Sequence, residues 1–288
     1  TAEAPAAPEV PDIPKDKLPR ADCAMDADGR ISVELRLPET EEARLLLRLR
    51  PKKGKEPREG EEPPTHAVPL RRVSAAADRW RTELDDQVPE LAEGRWDLFV
   101  ERPGAPRLRV VPGVRDLRVL ASDPPPAPTL PLAVRVPYAT KDGYLALRAW
   151  QRRAHAEAGD VRVRDGALTV WGRLLGATPG RGAKVQLKRR GRGGPTVVAA
   201  LRDEGEGAFS FHLVYDDLPH AEDGPDPAYW DVSVKPSAKS APVRVARLLD
   251  DVADKKPVFV YPATTVGPLT IRPYYTLDND LAVQVSAM

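Results

Sequence analysis

The chain has 288 residues, 44 Lys and Arg against 43 Asp and Glu, 32 Pro and a single Cys. A balance so close to neutral excludes the global cationic field of a general nucleic-acid or anionic-membrane binder, and one Cys excludes an intrachain disulfide framework and any multi-cysteine metal centre. Proline at one residue in nine breaks helix interiors, so the composition predicts strands and loops.

In chain order, residues 1–22 read as a Pro/Ala-rich arm, disordered or extended, without the apolar core of a signal peptide. Period-two alternation then marks half-buried strands: Ile31, Val33, Leu35 and Leu37; Leu45, Leu47 and Leu49; Leu98 and Val100 after Trp96-Asp97; and Val134 and Val136. Asp142-Gly143 closes a hairpin, because such pairs tolerate the positive φ of tight turns. The stretch from Leu145 reads better as strand than as helix. Residues 151–160 are polar and read as a linker, although the Pro run Asp123–Pro131 is an alternative boundary. Beyond it, Leu168 and Val170 alternate with Thr169 and Trp171, and Lys188–Gly194 (KRRGRGG) reads as a solvated hairpin tip. Phe209, Phe211 and Leu213, then Val232 and Val234 after Trp230, and finally Leu281, Val283 and Val285 complete the series. Asp278-Asn279 supplies the last turn. No window approaches the apolar length of a membrane helix.

The two halves resemble each other. RISVELRLP follows Asp28-Gly29, and ALTVWGRL follows Asp165-Gly166. Trp96-Asp97 is answered by Trp230-Asp231, and Pro137–Ala146 (PYATKDGYLA) by Pro273–Ala282 (PYYTLDNDLA), in the same order at nearly constant separation. A period this long predicts tandem domains rather than a solenoid. The expectation is an all-β protein of two tandem immunoglobulin-like β-sandwiches, at 23–150 and 161–288, joined by 151–160.

Gly94-Arg95-Trp96-Asp97 with the alternation that follows, and Pro137-Tyr138-Ala139-Thr140-Lys141-Asp142-Gly143-Tyr144-Leu145, resemble the β-rich accessory regions of actinobacterial glycosyltransferases and glycerophosphotransferases that build cell-envelope polymers. The second copy departs from the pattern at Ala228 and Asn279, where the first has Gly. The resemblance implies an accessory sandwich without the nucleotide-sugar-binding catalytic domain, so no catalytic residue is carried over from it.

Trp96 and Trp230 read as core anchors with Asp97 and Asp231 facing the other way, and Trp80, Trp150 and Trp171 also read as core. The tyrosines and acids of the two hairpins, Tyr138, Asp142, Tyr144, Tyr274, Tyr275, Asp278 and Asp280, are the candidate binding residues: an aromatic-lined polar patch suits a glycan. No catalytic motif, metal site or cofactor fingerprint is present. Asp22, Asp26 and Asp28 form only part of a calcium loop, since its twelfth position falls on Leu37 or Val33. Cys23 has no neighbour that would activate it. The reading is a non-catalytic binding or scaffolding module, recognising a glycan or a protein in envelope-polymer or secondary-metabolite biosynthesis. The alternatives are a transferase with a site between the domains, using His212 or His220 with Asp216, Asp217 and Asp231, and a structural spacer. Cytoplasm is the default location, with an envelope-associated one as the alternative.

Overall fold

The computed structural model describes residues 13–38, 40–51, 61–73, 78–85, 90–122, 127–219 and 227–288. The chain is all-β: twenty-one strands and three short 3-10 turns form its regular structure among the described residues. Among the described residues no helix is long and apolar enough to cross a membrane. It divides into two compact units, residues 1–127 with 133–151 and residues 128–132 with 152–288.

The first unit contains β1 (Arg20–Met25), β2 (Ile31–Arg36), β3 (Arg44–Leu49), β4 (Thr65–Pro69), β5 (Arg71–Arg72), β6 (Arg79–Leu84), β7 (Gly94–Glu101), β8 (Leu108–Arg109), β9 (Val111–Asp116), β10 (Leu132–Ala139) and β11 (Leu145–Arg152). One sheet runs β5-β6-β2-β1-β9 and the other β10-β11-β7-β3-β4, with β8 on β7. Alternation decides what is buried: Ile31, Val33 and Leu35 turn inward from β2, and Leu45, Leu47, Trp96, Leu98 and Leu147 meet them from the other sheet in one core. Trp96 is fully buried and its indole N–H donates to the Ala92 carbonyl at 3.0 Å.

The second unit contains β12 (His155–Arg164), β13 (Ala167–Leu175), β14 (Lys184–Arg189), β15 (Thr196–Gly205), β16 (Ala208–Val214), β17 (Ala228–Lys235), β18 (Val243–Ala246), β19 (Thr264–Val266), β20 (Leu269–Tyr275) and β21 (Leu281–Ala287). Here the expected open sandwich closes on itself. The order β14-β15-β16-β13-β12-β18-β17 returns to β14 through a β14–β17 pairing, giving a seven-strand barrel. Two strands make the closure. The first half of β15 pairs with β14 and its second half with β16. β18 runs parallel to β12 on one side and antiparallel to β17 on the other. β21 and β20 extend outward from the start of β17, and β19 pairs with β20. Trp230, Phe209, Phe211 and Val232 from the barrel strands and Tyr275 from β20 share one apolar cluster.

The pairing circuit of the first unit follows the same route, interrupted at Leu70 between β4 and β5 and at Val110 between β8 and β9. β1 runs parallel to β9 as β12 does to β18. Trp96 and Trp230, both fully buried, face Leu147 and Val283 across their ladders.

Three sequence expectations give way. The arm is shorter than residues 1–22, because β1 begins at Arg20 and buries Ala21 and Cys23; residues 1–12 lie outside the described residues. The supposed linker 151–160 is strand: β11 continues to Arg152 and β12 starts at His155, where Ala156 and Ala158 turn into the core. Trp171 is not core. It is 36 % exposed, whereas Trp80 and Trp150 are buried as expected. Part of the Pro run, and His220 with the acids that follow it, lie outside the described residues.

Candidate binding cleft

The candidate residues of the two hairpins separate into different environments. In the second unit, successive residues of a strand point to opposite faces. Tyr275 therefore turns into the core against Phe259 and Tyr261, with ring centroids 5.8 and 6.2 Å away, and burial pushes its hydroxyl far above the ordinary tyrosine range. Tyr274 turns outward into a cleft of about 720 Å³, which Asp278 and Asp280 also line. This size is ordinary for a small-molecule site.

The floor of the cleft is the outer face of β20, β21 and β17. Register sets the array: Arg272 faces Gln284 and Tyr274 faces Ala282 across β20–β21, while Tyr229 faces Gln284 and Asp231 faces Ala282 across β17–β21. Ala282, fully buried, thus stands opposite both Tyr274 and Asp231. The Tyr229 and Tyr274 rings meet edge to face, 5.9 Å between centroids. Arg190, just after β14, closes one side: its Nε and Nη2 donate to Asp231 Oδ1 at 2.9 and 2.6 Å, and its guanidinium lies 5.5 Å from the Tyr229 centroid. Arg272 donates to Gln284 Oε1 at 3.1 Å, and Lys256 Nζ stands 5.9 Å from the Tyr274 centroid. Asp280 accepts from Arg152 at 3.1 Å and Arg244 at 2.9 Å. Burial raises the Tyr274 hydroxyl above its ordinary range against the opposing pull of Arg190.

Residues 256–261 form the roof, with Lys256, Phe259, Val260 and Tyr261 lining the cleft. A polar framework holds the chain leading into it. Asn279, buried at φ +63°, accepts the Lys255 N–H at 3.2 Å and donates to the Ala253 carbonyl at 3.1 Å. Lys255 is 1 % exposed and its ammonium bonds Asp250 and the Val252 carbonyl. Arg247 donates to Asp250 at 2.7 Å. Glu157 accepts the backbone N–H of Leu248 and Leu249 and lies 2.6 Å from His155 Nε2.

The hairpin of the first unit is filled by the chain itself. The Tyr144 ring has the Arg109 guanidinium 3.8 Å and the Lys15 ammonium 5.0 Å from its centroid, and Lys15 also bonds the Asp142 carbonyl. Tyr138 is half-buried, which raises its hydroxyl against the opposing influence of Arg95, Arg50 and Arg148. Asp97 accepts from Arg50 at 3.2 Å and from Arg109 at 3.1 Å. Ladder positions correspond: Arg50 pairs with Asp97 as Arg190 pairs with Asp231, and the N–H of Arg50 and of Arg190 donates to the carbonyl of Arg95 and of Tyr229. Of the residues considered for a transferase, His212 is hydrogen-bonded to Thr169 at 2.9 Å and Asp231 to Arg190, while Asp216 and Asp217 are exposed on a 3-10 turn.

No family model matches the chain, and no curated protein matches it. Two solved structures of S. aureus TarS are distantly similar. One is 18 % identical with TM-score 0.29 over 67 % of this chain and 35 % of that one. The other, TarS 217-571, is 18 % identical with TM-score 0.29 over 74 % of this chain and 57 % of that one. The chain therefore spans about a third of the first structure and a little over half of the second. Likeness at this level assigns no function.

Sequence reasoning does not find Arg190, Tyr229, Arg244, Lys256, Arg272 or Gln284. Arg272 was within reach, because it stands two residues before Tyr274 and shares its face. Arg190 was not, because its partner Asp231 lies 41 residues away and its own segment looks like a basic hairpin tip.

Proposed function

We propose that the protein is a non-catalytic recognition module made of two copies of one immunoglobulin-like domain, and that the cleft of the second unit binds a saccharide. The domain reading is supported by the shared pairing circuit. In the second unit β12, β13, β16 and β15 follow the order of an ABED sheet, and β14, β17 and β18 that of a CFG sheet. We set the boundary between the copies at Gln151 and Arg152, where the two compact units divide, residues 128–132 excepted.

The observation that carries the binding reading is the composition of the cleft floor. Two tyrosine rings in edge-to-face contact line the cleft together with Asp231, Asp280, Gln284 and Arg190. A pyranose has an apolar C–H face that packs on an aromatic ring and a rim of hydroxyls that need bidentate donors and acceptors. Polar side chains already fixed by ion pairs meet those hydroxyls with little ordering cost.

A glycan array with a nucleotide-sugar panel, run on the intact protein, tests this. We expect binding to a defined saccharide that falls at least about tenfold in Tyr274→Ala, a loss of one stacking contact, and also falls in Asp231→Ala. Binding that survives both substitutions places the ligand elsewhere; no binding to any saccharide rejects the reading.

A further inference from the structure

Resting on the saccharide reading of the second unit's cleft, we propose that its ligand is an acidic saccharide, a sugar carrying a carboxylate or phosphate oxyanion, and that Arg272 and Lys256 hold that oxyanion. The chain as a whole is balanced in charge, 44 Lys and Arg against 43 Asp and Glu. The cleft is not. Arg190, Arg244, Lys256 and Arg272 line it against Asp231, Asp278 and Asp280, and Arg152 reaches Asp280 from outside the lining.

The acids on the cleft floor are already engaged. Arg190 gives two donors to Asp231, at 2.9 and 2.6 Å, and Lys188 stands opposite Asp231 across the β14–β17 ladder, on the same side of the sheet. Asp280 lies between Arg152 at 3.1 Å and Arg244 at 2.9 Å. Asp278 is exposed at the hairpin tip, where solvent and salt screen it. The two floor carboxylates are thus neutralised by their partners, and serve as acceptors for sugar hydroxyls without repelling an anion. Arg272 and Lys256 differ: among the described residues neither has a carboxylate partner. Arg272 donates to the neutral oxygen of Gln284 at 3.1 Å, which leaves most of its five N–H groups available. Lys256 Nζ is 5.9 Å from the Tyr274 centroid, at the outer limit of a cation–π contact. Arg272 stands two residues before Tyr274 in β20, roughly 7 Å along the strand on the same face, so both cations belong to the surroundings of one tyrosine.

The fold does not demand these cations. Counting from Pro137-Tyr138 and Pro273-Tyr274, the first unit has Val136 where the second has Arg272, and Arg148 where the second has Gln284. Val136 and Arg148 are buried, whereas Arg272 is exposed. Lys256 is placed by its neighbour: Lys255 is fixed in the interior by Asn279 and Asp250, and the next residue emerges at the cleft. A lone surface cation is ordinarily just solvated. Two without counter-charges on one cleft, beside acids already neutralised, give that concavity a positive field that favours an anion over a neutral sugar. The guanidinium fork matches a carboxylate or a phosphate in two parallel hydrogen bonds, and the ammonium adds a point charge.

Calorimetry on the intact protein compares trigalacturonate with its methyl ester, which keeps the sugar skeleton and removes the charge, and glucose 6-phosphate with glucose. Inorganic phosphate serves as the anion without a sugar. We expect an acidic saccharide to bind at least about tenfold more tightly than its neutral counterpart, with the advantage shrinking as salt rises from about 0.05 M to about 0.5 M. The arm that binds tells a uronate from a sugar phosphate. Arg272→Gln and Lys256→Gln should each weaken the acidic ligand severalfold, and the double variant should erase the advantage. Both side chains are exposed, so the substitutions spare the fold; circular dichroism checks that. A neutral saccharide bound as tightly as its acidic counterpart, or a charge preference that survives the double variant, overturns this proposal and leaves the saccharide reading intact. Inorganic phosphate bound as tightly as glucose 6-phosphate overturns it too, because the cleft then holds the oxyanion alone. No binding of any saccharide, acidic or neutral, rejects the saccharide reading and this proposal with it.

Discussion

Tyr274 and Tyr275 are neighbours with opposite fates, and the two-residue period of a strand is the whole reason. One ring faces the cleft and the other the core. The same rule was readable at Trp171, where inward Leu168 and Val170 leave it no place but outside. Cys23 shows how burial sets chemistry. The thiol is buried in β1, and burial first, then Asp22, pushes it up to about 12 against the opposing influence of Arg115. The thiolate is the reactive form, so we expect no reaction of the native protein with a thiol-specific reagent at neutral pH, and one equivalent after unfolding in denaturant. Rapid labelling under native conditions would contradict the burial of β1. Asn279 is a second residue-scale case. Its turn position needs positive φ, which Gly143 meets in the first unit, but Asn279 also holds both the Lys255 N–H and the Ala253 carbonyl. Asn279→Ala should cost roughly 2 kcal/mol in urea unfolding, from backbone strain and two unpaired buried groups. Asn279→Gly should cost less, because it relieves the strain and loses only the bonds.

Between residues and domains, the decisive element is the segment that leads into the roof. No periodicity marks residues 247–261, so sequence alone reads them as a connection. Their order comes from polar contacts with distant partners: Glu157 binds the amides of Leu248 and Leu249 about 91 residues away, and separations of that size are invisible to pattern reading. Asp250 is the hub. Burial pushes its carboxyl up, but the Lys255 charge and hydrogen bond, Arg247 and the Val252 N–H together outweigh burial and hold it below its ordinary value. A carboxyl depressed in the folded state binds protons less readily than in the unfolded chain. Its stabilisation is therefore complete above the ordinary carboxylate pKa and is lost as pH falls through the lower folded value. Asp250→Asn leaves the buried Lys255 ammonium without its counter-charge and should cost roughly 3 kcal/mol near neutral pH. The same substitution should flatten this part of the acid limb when unfolding midpoints are followed from about pH 6 to about pH 2. An unchanged midpoint would mean that the Lys255–Asp250 contact contributes nothing.

At the scale of the molecule, alternation and turn chemistry made the strands and both closing hairpins legible, and the landmarks Trp96-Asp97 and Trp230-Asp231 fall on β7 and β17 with both tryptophans buried. Closure was not legible. It depends on β18 and β15 each pairing with two different neighbours, and nothing in a strand's own residues states which edges it will share. The same blindness hides the start of β12: this polar, half-exposed strand reads as linker because only three of its ten residues, His155, Ala156 and Ala158, are buried, and its stability comes from the long ladder with β13. Each unit has its own apolar cluster, so damage to one core should register chiefly in that unit. Trp96→Ala and Trp230→Ala each remove a fully buried side chain and should cost about 3–5 kcal/mol. Hydrogen exchange resolved by peptide should then rise across β2, β3 and β7 in the first variant and across β13, β14 and β17 in the second. Equal acceleration of both sets by either substitution would show that the two clusters unfold as one cooperative body rather than as two.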